Sequence, residues 1–391
     1  MKNTLFIQFY LKVEKLNNFD FVLWNGFSDT YDLCKSKGDF IWINEELAEE
    51  YELPFDSGDV YISAYLTDHL TNANNWAKQY PNINFIVGGP VILCNNNFVT
   101  ILSKNLKLVK SSVEDYFDKP NFSYKWKIDI SQIKKYIDKT DNILFSYTLD
   151  TSCFWKKCTY CNYSYDEHRV RDLVDLSVVD DIDFDGVKQI RLNTPGISIS
   201  FINKIFDQMI YRKDIVYDTL MRCDLKKYRT LENRLTEFKG TLPNLKMRIG
   251  IEFPSNKMLK RIRKGFNVND ILNTLRVLNK FENTQSAGMF MFGWCDIDQS
   301  DIDEVLYFID NVKRIDDMVF YKVLNVYGTA LHEMYKDSRV GEKYYEGPIY
   351  RGYYMKLTSD ELMFNKQAIK LIKQIPHNTI LNRVEEYLFK Y

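Results

Sequence analysis

The chain has 391 residues, with 52 Lys plus Arg against 53 Asp plus Glu and a formal net charge of −1. That balance excludes the strongly basic surface that draws nucleic acid. No apolar run reaches the ~18 residues that span a bilayer. The first eleven residues lack a leader's apolar core and small-residue cleavage site, so a cytoplasmic protein with no membrane attachment is expected.

At roughly 150 residues per domain, the length suggests two domains, at most three. In the first, residues 1–135, the runs 59–66 and 84–90 read as buried strands flanking a polar, partly helical stretch. Strand, helix, strand with a Gly88-Gly89-Pro90 exit predicts a Rossmann-like parallel sheet. His69 reads as a surface-loop residue, and 111–136 as the connection between domains.

From Asp141 onward, strands and helices alternate. Strands are expected at 143–147, 186–192, 216–221, 246–252, 286–292 and 318–326. Helices are expected at 198–211, 268–278 and 302–312, each with apolar residues three or four apart. Six such strands predict a (β/α)6 partial TIM barrel over 136–335. The remainder, 336–391, reads as a helical extension with one helix after Thr358 and a second after Pro376. In barrels of this kind the reactive groups stand at the C-terminal ends of the strands. Asn193, Arg222, Glu252, Cys295 and Asn325 all fall at such ends.

Of seven cysteines, three lie within nine residues: Cys153, Cys158 and Cys161, directly after the first barrel strand. In a reducing compartment such thiols read as metal ligands rather than disulfides. Three soft thiolates on one loop suit an iron–sulfur cluster with one iron left open. Spacing alone also allows a structural zinc site with His168 as fourth ligand. A zinc-stabilised binding module is therefore the alternative outside enzymes.

The ordered matches favour the cluster. Cys158-Thr-Tyr-Cys161, Gly250-Ile-Glu252, Lys264-Gly-Phe266, Met289-Phe-Met-Phe-Gly293 and Gly328-Thr-Ala-Leu-His-Glu333 together resemble the radical S-adenosylmethionine (SAM) superfamily. The resemblance is to the subgroup with an N-terminal cobalamin-binding domain. Two departures stand out. The cysteine spacing is C-x4-C-x2-C rather than C-x3-C-x2-C, a lengthening found in members that modify ribosomally made peptides. The family's Gly-Gly-Glu is replaced by Asn193-Thr-Pro-Gly196.

The resemblance implies a [4Fe-4S] cluster on Cys153, Cys158 and Cys161, with SAM bound at its open iron. It implies cleavage to a 5′-deoxyadenosyl radical and hydrogen abstraction from an unactivated C–H bond. The expected substrate is a precursor peptide, undergoing epimerisation or carbon–carbon ring closure such as cyclopropane formation. The expected electron donor is a ferredoxin or flavodoxin. Tyr160 would lie near the adenine or serve as a core aromatic. Asn193 would meet the methionine amino group, and Asn325 and Val326 the adenine edge through backbone groups. Arg222 and Glu252 would bind the methionine carboxylate and ribose, or form an ion pair. Cys295 would return a hydrogen to a substrate radical, or be a buried small hydrophobe. The Asp-x-His-x-x-Gly motif for a lower cobalamin ligand is missing, which leaves cobalamin an option behind a degenerate scaffold. A cobalamin-dependent C-methyltransferase is the alternative within enzymes.

Overall fold

The computed structural model describes residues 3–16, 19–24, 31–64, 67–89, 92, 102–110, 116–118, 143–148, 153, 155–161, 187–197, 214–223, 228–237, 244–326, 328–346 and 351–381. Its strands are β1 (Thr4–Leu16), β2 (Phe19–Trp24), β3 (Asp39–Asn44), β4 (Gly58–Ser63), β5 (Ile83–Gly88), β6 (Leu106–Leu108), β7 (Ile143–Thr148) and β8 (Val187–Ile197). They continue as β9 (Val216–Met221), β10 (Asn244–Glu252), β11 (Thr284–Phe292), β12 (Asp317–Lys322), β13 (Leu324–Val326), β14 (Val340–Glu346), β15 (Arg351–Met355) and β16 (Thr379–Leu381).

The N-terminal strands form the expected parallel layer. β4 pairs parallel to β5 across the helix Thr67–Gln79, and β1 pairs parallel to both β3 and β4. The exception is β2, antiparallel to β1. Val60, Ile62, Phe85 and Val87 pack with Trp76 of that helix into one core. On the opposite face Phe6 stacks between Phe40 and Tyr61, at 5.1 and 4.9 Å. His69 is a correction: it is fully buried on the helix, its Nε2 2.8 Å from Glu45 Oε2 and its ring 4.0 Å from Phe9.

The six barrel strands are in place and parallel, in the order β7-β8-β9-β10-β11-β12. Helices Asn256–Arg261, Val268–Leu278 and Gln299–Asn311 follow β10 and β11, and Tyr228–Glu237 follows β9. Their starts are written in sequence. Asn267 with Asp270 and Asp298 with Asp301 form capping boxes that satisfy the first free N–H groups. The expected helix at 198–211, His168, Cys94 and most of 111–136 lie outside the described residues.

Alternation fixes the two faces of the half-barrel. Leu245, Met247, Ile249 and Ile251 of β10 join Ile271, Leu275, Ile302 and Val305 in a helix-backed core. The intervening Lys246 and Arg248 therefore look toward the opposite, inner face, and the ladder shifts register between Gly250 and Glu252.

Three features depart from expectation. The sheet does not stop between the two halves: β2 pairs parallel to β7, Phe21 opposite Ile143 through Trp24 opposite Ser146. The run 318–326 breaks into β12 and β13, and β13 leaves to join β15 and β14 in a separate antiparallel sheet. The C-terminal part is not wholly helical. It contains that hairpin, the helix Ser359–Ile372, and β16, which adds parallel to β12 beyond Pro376.

Candidate cluster and cofactor site

The cysteine loop leaves β7 and is tied down at both sides. Thr159 N–H donates to Ile262 O at 3.1 Å, and Leu331 N–H donates to Thr159 O at 2.8 Å. Trp155 Nε1 reaches Arg263 O at 2.7 Å. Its ring lies against Gly265, where a Cβ would fall 2.1 Å from Trp155 Cζ2. Gly265 has φ +79°, so the Lys264-Gly265-Phe266 turn needs glycine for both conformation and room. Other left-handed residues mark the loops around the site: Lys156, Glu252, Arg263 and Asp296. Such clustering is common where geometry serves function.

Cys153 and Cys158 are buried and Cys161 is half-buried. Burial pushes the Cys158 thiol up, while the Lys264 and Arg222 cations pull it down. Among the described residues no three His, Cys, Asp or Glu side chains stand in metal-ligating geometry. The donor set nonetheless fits a cluster chemically, as three soft sulfur donors on one short loop.

Lys264 is the centre that sequence reasoning missed. Its Nζ lies 2.7 Å from Glu252 Oε1 and 3.2 Å from the Tyr160 hydroxyl. Tyr160 in turn donates to Glu252 Oε1 at 2.8 Å. Gly250 makes room for the pair, since a Cβ there would meet Glu252 Oε1 at 2.7 Å and Lys264 Nζ at 2.9 Å. Burial and the Glu252 charge hold the Tyr160 hydroxyl well above its usual range, so it remains a donor. The Tyr160 ring meets Trp294 edge-on at 5.9 Å. The Lys-Gly-Phe turn was visible in the sequence; the lysine's partner, twelve residues back across a turn and helix, was not.

Glu252 is thus paired with Lys264 rather than Arg222. The Arg222 guanidinium stacks 4.7 Å from Trp155 and 5.3 Å from Phe266, and donates to Lys264 O. Cys295 lies at the buried corner after β11, which suits the small-hydrophobe alternative. It is 1% exposed, and its Sγ donates to Lys356 O at 3.7 Å. Burial pushes the thiol up to about 12. The helix Ser359–Ile372 fixes this corner: Asn365 Oδ1 accepts Gly293 N–H at 2.7 Å, and Glu361 Oε1 accepts Asp296 N–H at 2.7 Å.

Asn325 donates from Nδ2 to the Tyr353 hydroxyl at 2.8 Å, and its buried Oδ1 has no partner among the described residues. Val326 O already accepts the Thr329 N–H and hydroxyl. Val326 also pairs with Gly352, so this stretch serves the small sheet first. Asn193 sits in β8 opposite Thr148, and its side chain lies outside the described residues.

No protein-family model matches the chain, and no curated protein matches it. Solved structures of similar fold include the cobalamin-dependent S-adenosylmethionine radical enzyme OxsB. With aqua-cobalamin and S-adenosylmethionine bound, it aligns at TM-score 0.61 and 12% identity over 94% of this chain and 66% of that one. With aqua-cobalamin alone it aligns at 0.59, again at 12% identity over 94% and 66%. The apo, selenomethionine-labelled form aligns at 0.59 and 12% over 93% and 66%. The chain therefore spans just under two thirds of those proteins, and the likeness is one of fold. No described helix is long and apolar enough to cross a membrane.

Proposed function

We propose that this chain is a radical SAM enzyme with a [4Fe-4S] cluster on Cys153, Cys158 and Cys161. The observation that supports it most is the position of the cysteine loop. It follows the first strand of a parallel half-barrel, beside Lys264 and Arg222, in a fold shared with OxsB. When bound, such a cluster supplies the electron that cleaves SAM and releases a 5′-deoxyadenosyl radical for hydrogen abstraction. The chain's own residues hold the loop rigid through Trp155, Thr159 and Leu331. Lys264 and Arg222 keep positive charge beside the thiols, and Tyr160 packs edge-on against Trp294 at the loop. Arg222 also offers a guanidinium for the methionine carboxylate.

The substrate reading is a ribosomally made peptide undergoing epimerisation or ring closure, with a ferredoxin or flavodoxin as electron donor. The lengthened cysteine spacing supports it. A second reading, a cobalamin-dependent C-methyltransferase, is favoured by the neighbours that bind aqua-cobalamin. The division at about residues 135 and 335 belongs to the same proposal.

Anaerobic reconstitution followed by SAM and dithionite tests the main reading. About four irons per chain and 5′-deoxyadenosine are expected. Iron-free protein, or a Cys158→Ala variant that still forms 5′-deoxyadenosine, would reject it. Corrin absorbance retained through gel filtration after incubation with hydroxocobalamin would support the second reading.

A further inference from the structure

The inner face of the half-barrel carries a charged group that the cluster site does not use. Asp218 of β9 is fully buried. Its Oδ2 accepts Gln189 Nε2 at 2.6 Å, Arg191 Nε at 3.2 Å and Arg248 Nη2. Among the described residues, two guanidiniums from flanking strands thus share one oxygen of this carboxylate, a local surplus of one positive charge, and Oδ1 is buried without a hydrogen-bond partner among them. The next cation along β10, Lys246, is matched by Asp317. Both arginine side chains remain 23% exposed. Neither has another charged partner among the described residues, and each guanidinium keeps further N–H groups.

The two cations oppose each other. Burial and the neighbouring Arg248 push Arg191 down to about 10. Tyr321 of β12 lies near enough to feel both arginines and is 39% exposed. Among the described residues, two guanidiniums and the Tyr321 hydroxyl thus gather around the single carboxylate of Asp218, while the further carboxylate acting on Tyr321, Glu252, is paired with Lys264. This is the arrangement that binds an oxyanion bidentately.

We propose that Arg191 and Arg248 bind an anionic group of the substrate, a carboxylate or a phosphate, on the inner face of the half-barrel. Arg248 lies four residues before Glu252 on β10, about 13 Å along the strand. The anion would anchor one end of a substrate whose reacting C–H lies up near the cysteine loop. This rests on reading the half-barrel as a substrate chamber. The anion site itself is tested without SAM or turnover.

The probes are sodium phosphate and sodium acetate, titrated calorimetrically into the full chain at ionic strength held constant with chloride. One of them should bind saturably, one per chain, and which one binds names the source. Arg248→Lys keeps the charge but loses the fork, and should weaken binding about tenfold. Arg191→Lys should act in the same direction. Asp218→Asn removes the neutralising charge and should tighten binding about threefold. A purely structural cluster predicts no tightening in any variant. Absence of saturable binding by both probes overturns the proposal, as does an Asp218→Asn variant no tighter than the parent. Because cluster loading is not needed, iron-free protein would sink the radical SAM reading while leaving this titration readable.

Discussion

The Lys264 ammonium reaches Glu252 Oε1 at 2.7 Å, with both side chains only 8% exposed. Removing one partner of such a pair leaves a buried charge alone. Lys264→Met should therefore destabilise the fold by about 3–5 kcal/mol in denaturant titration. Adding Glu252→Gln should restore most of that loss, because the stranded carboxylate is then gone. A double variant no better than the single one would show that the pair is not the source.

Gly265→Ala should disturb the cysteine loop directly. The new methyl would meet the Trp155 ring at 2.1 Å, and φ +79° disfavours any side chain. A loss of about 1–3 kcal/mol is expected, with a changed tryptophan emission and lower iron uptake on reconstitution. Unchanged emission would contradict the placement of Trp155.

Acid stability has a named contributor. The Lys257 hydrogen bond is the chief cause holding the Asp298 carboxyl down to about 2. Its folded value lies below the unfolded one, so the stabilisation is present above about pH 4 and is lost as pH falls through about 2. Both side chains are substantially exposed, at 57% and 44%, so the effect is modest and weakened by salt. Lys257→Met should flatten the stability profile between about pH 4 and pH 2. An unaltered acid limb would remove Asp298 as its cause.

Thiol labelling distinguishes the cysteines. Cys295 is 1% exposed and its thiol is pushed up to about 12, so it stays protonated at pH values near 8. In folded protein without added iron, iodoacetamide should modify Cys161, which is half-buried, well before Cys295. Peptide mass spectrometry reads the order. Cys295 labelled first would mean that the corner held by the helix Ser359–Ile372 opens readily.

Much of the half-barrel was legible because its strands alternate strongly. Leu245 to Ile251 on one face and Lys246 and Arg248 on the other leave little ambiguity of type. The cysteine spacing stood out for the same local reason. What could not be read depends on long-range pairing. Nothing near Phe21 announces Ile143 as its neighbour, and nothing near Thr379 announces Asp317. Thr379–Leu381 pairs parallel to β12, and residues 382–391, where the rest of the expected second helix falls, lie outside the described residues. His69 looked like a surface residue because its partner Glu45 and its stacking partner Phe9 are remote in sequence. Lys264 and Glu252 were each visible, but their contact depends on the turn between them folding back.

The ladder from Phe21–Ile143 to Trp24–Ser146 has one further consequence. A truncated protein starting near residue 140 would expose an unsatisfied row of amide and carbonyl groups on the strand that launches the cysteine loop. Such an open edge recruits other chains. Amputating the amino-terminal layer should therefore yield aggregates rather than a free-standing half-barrel.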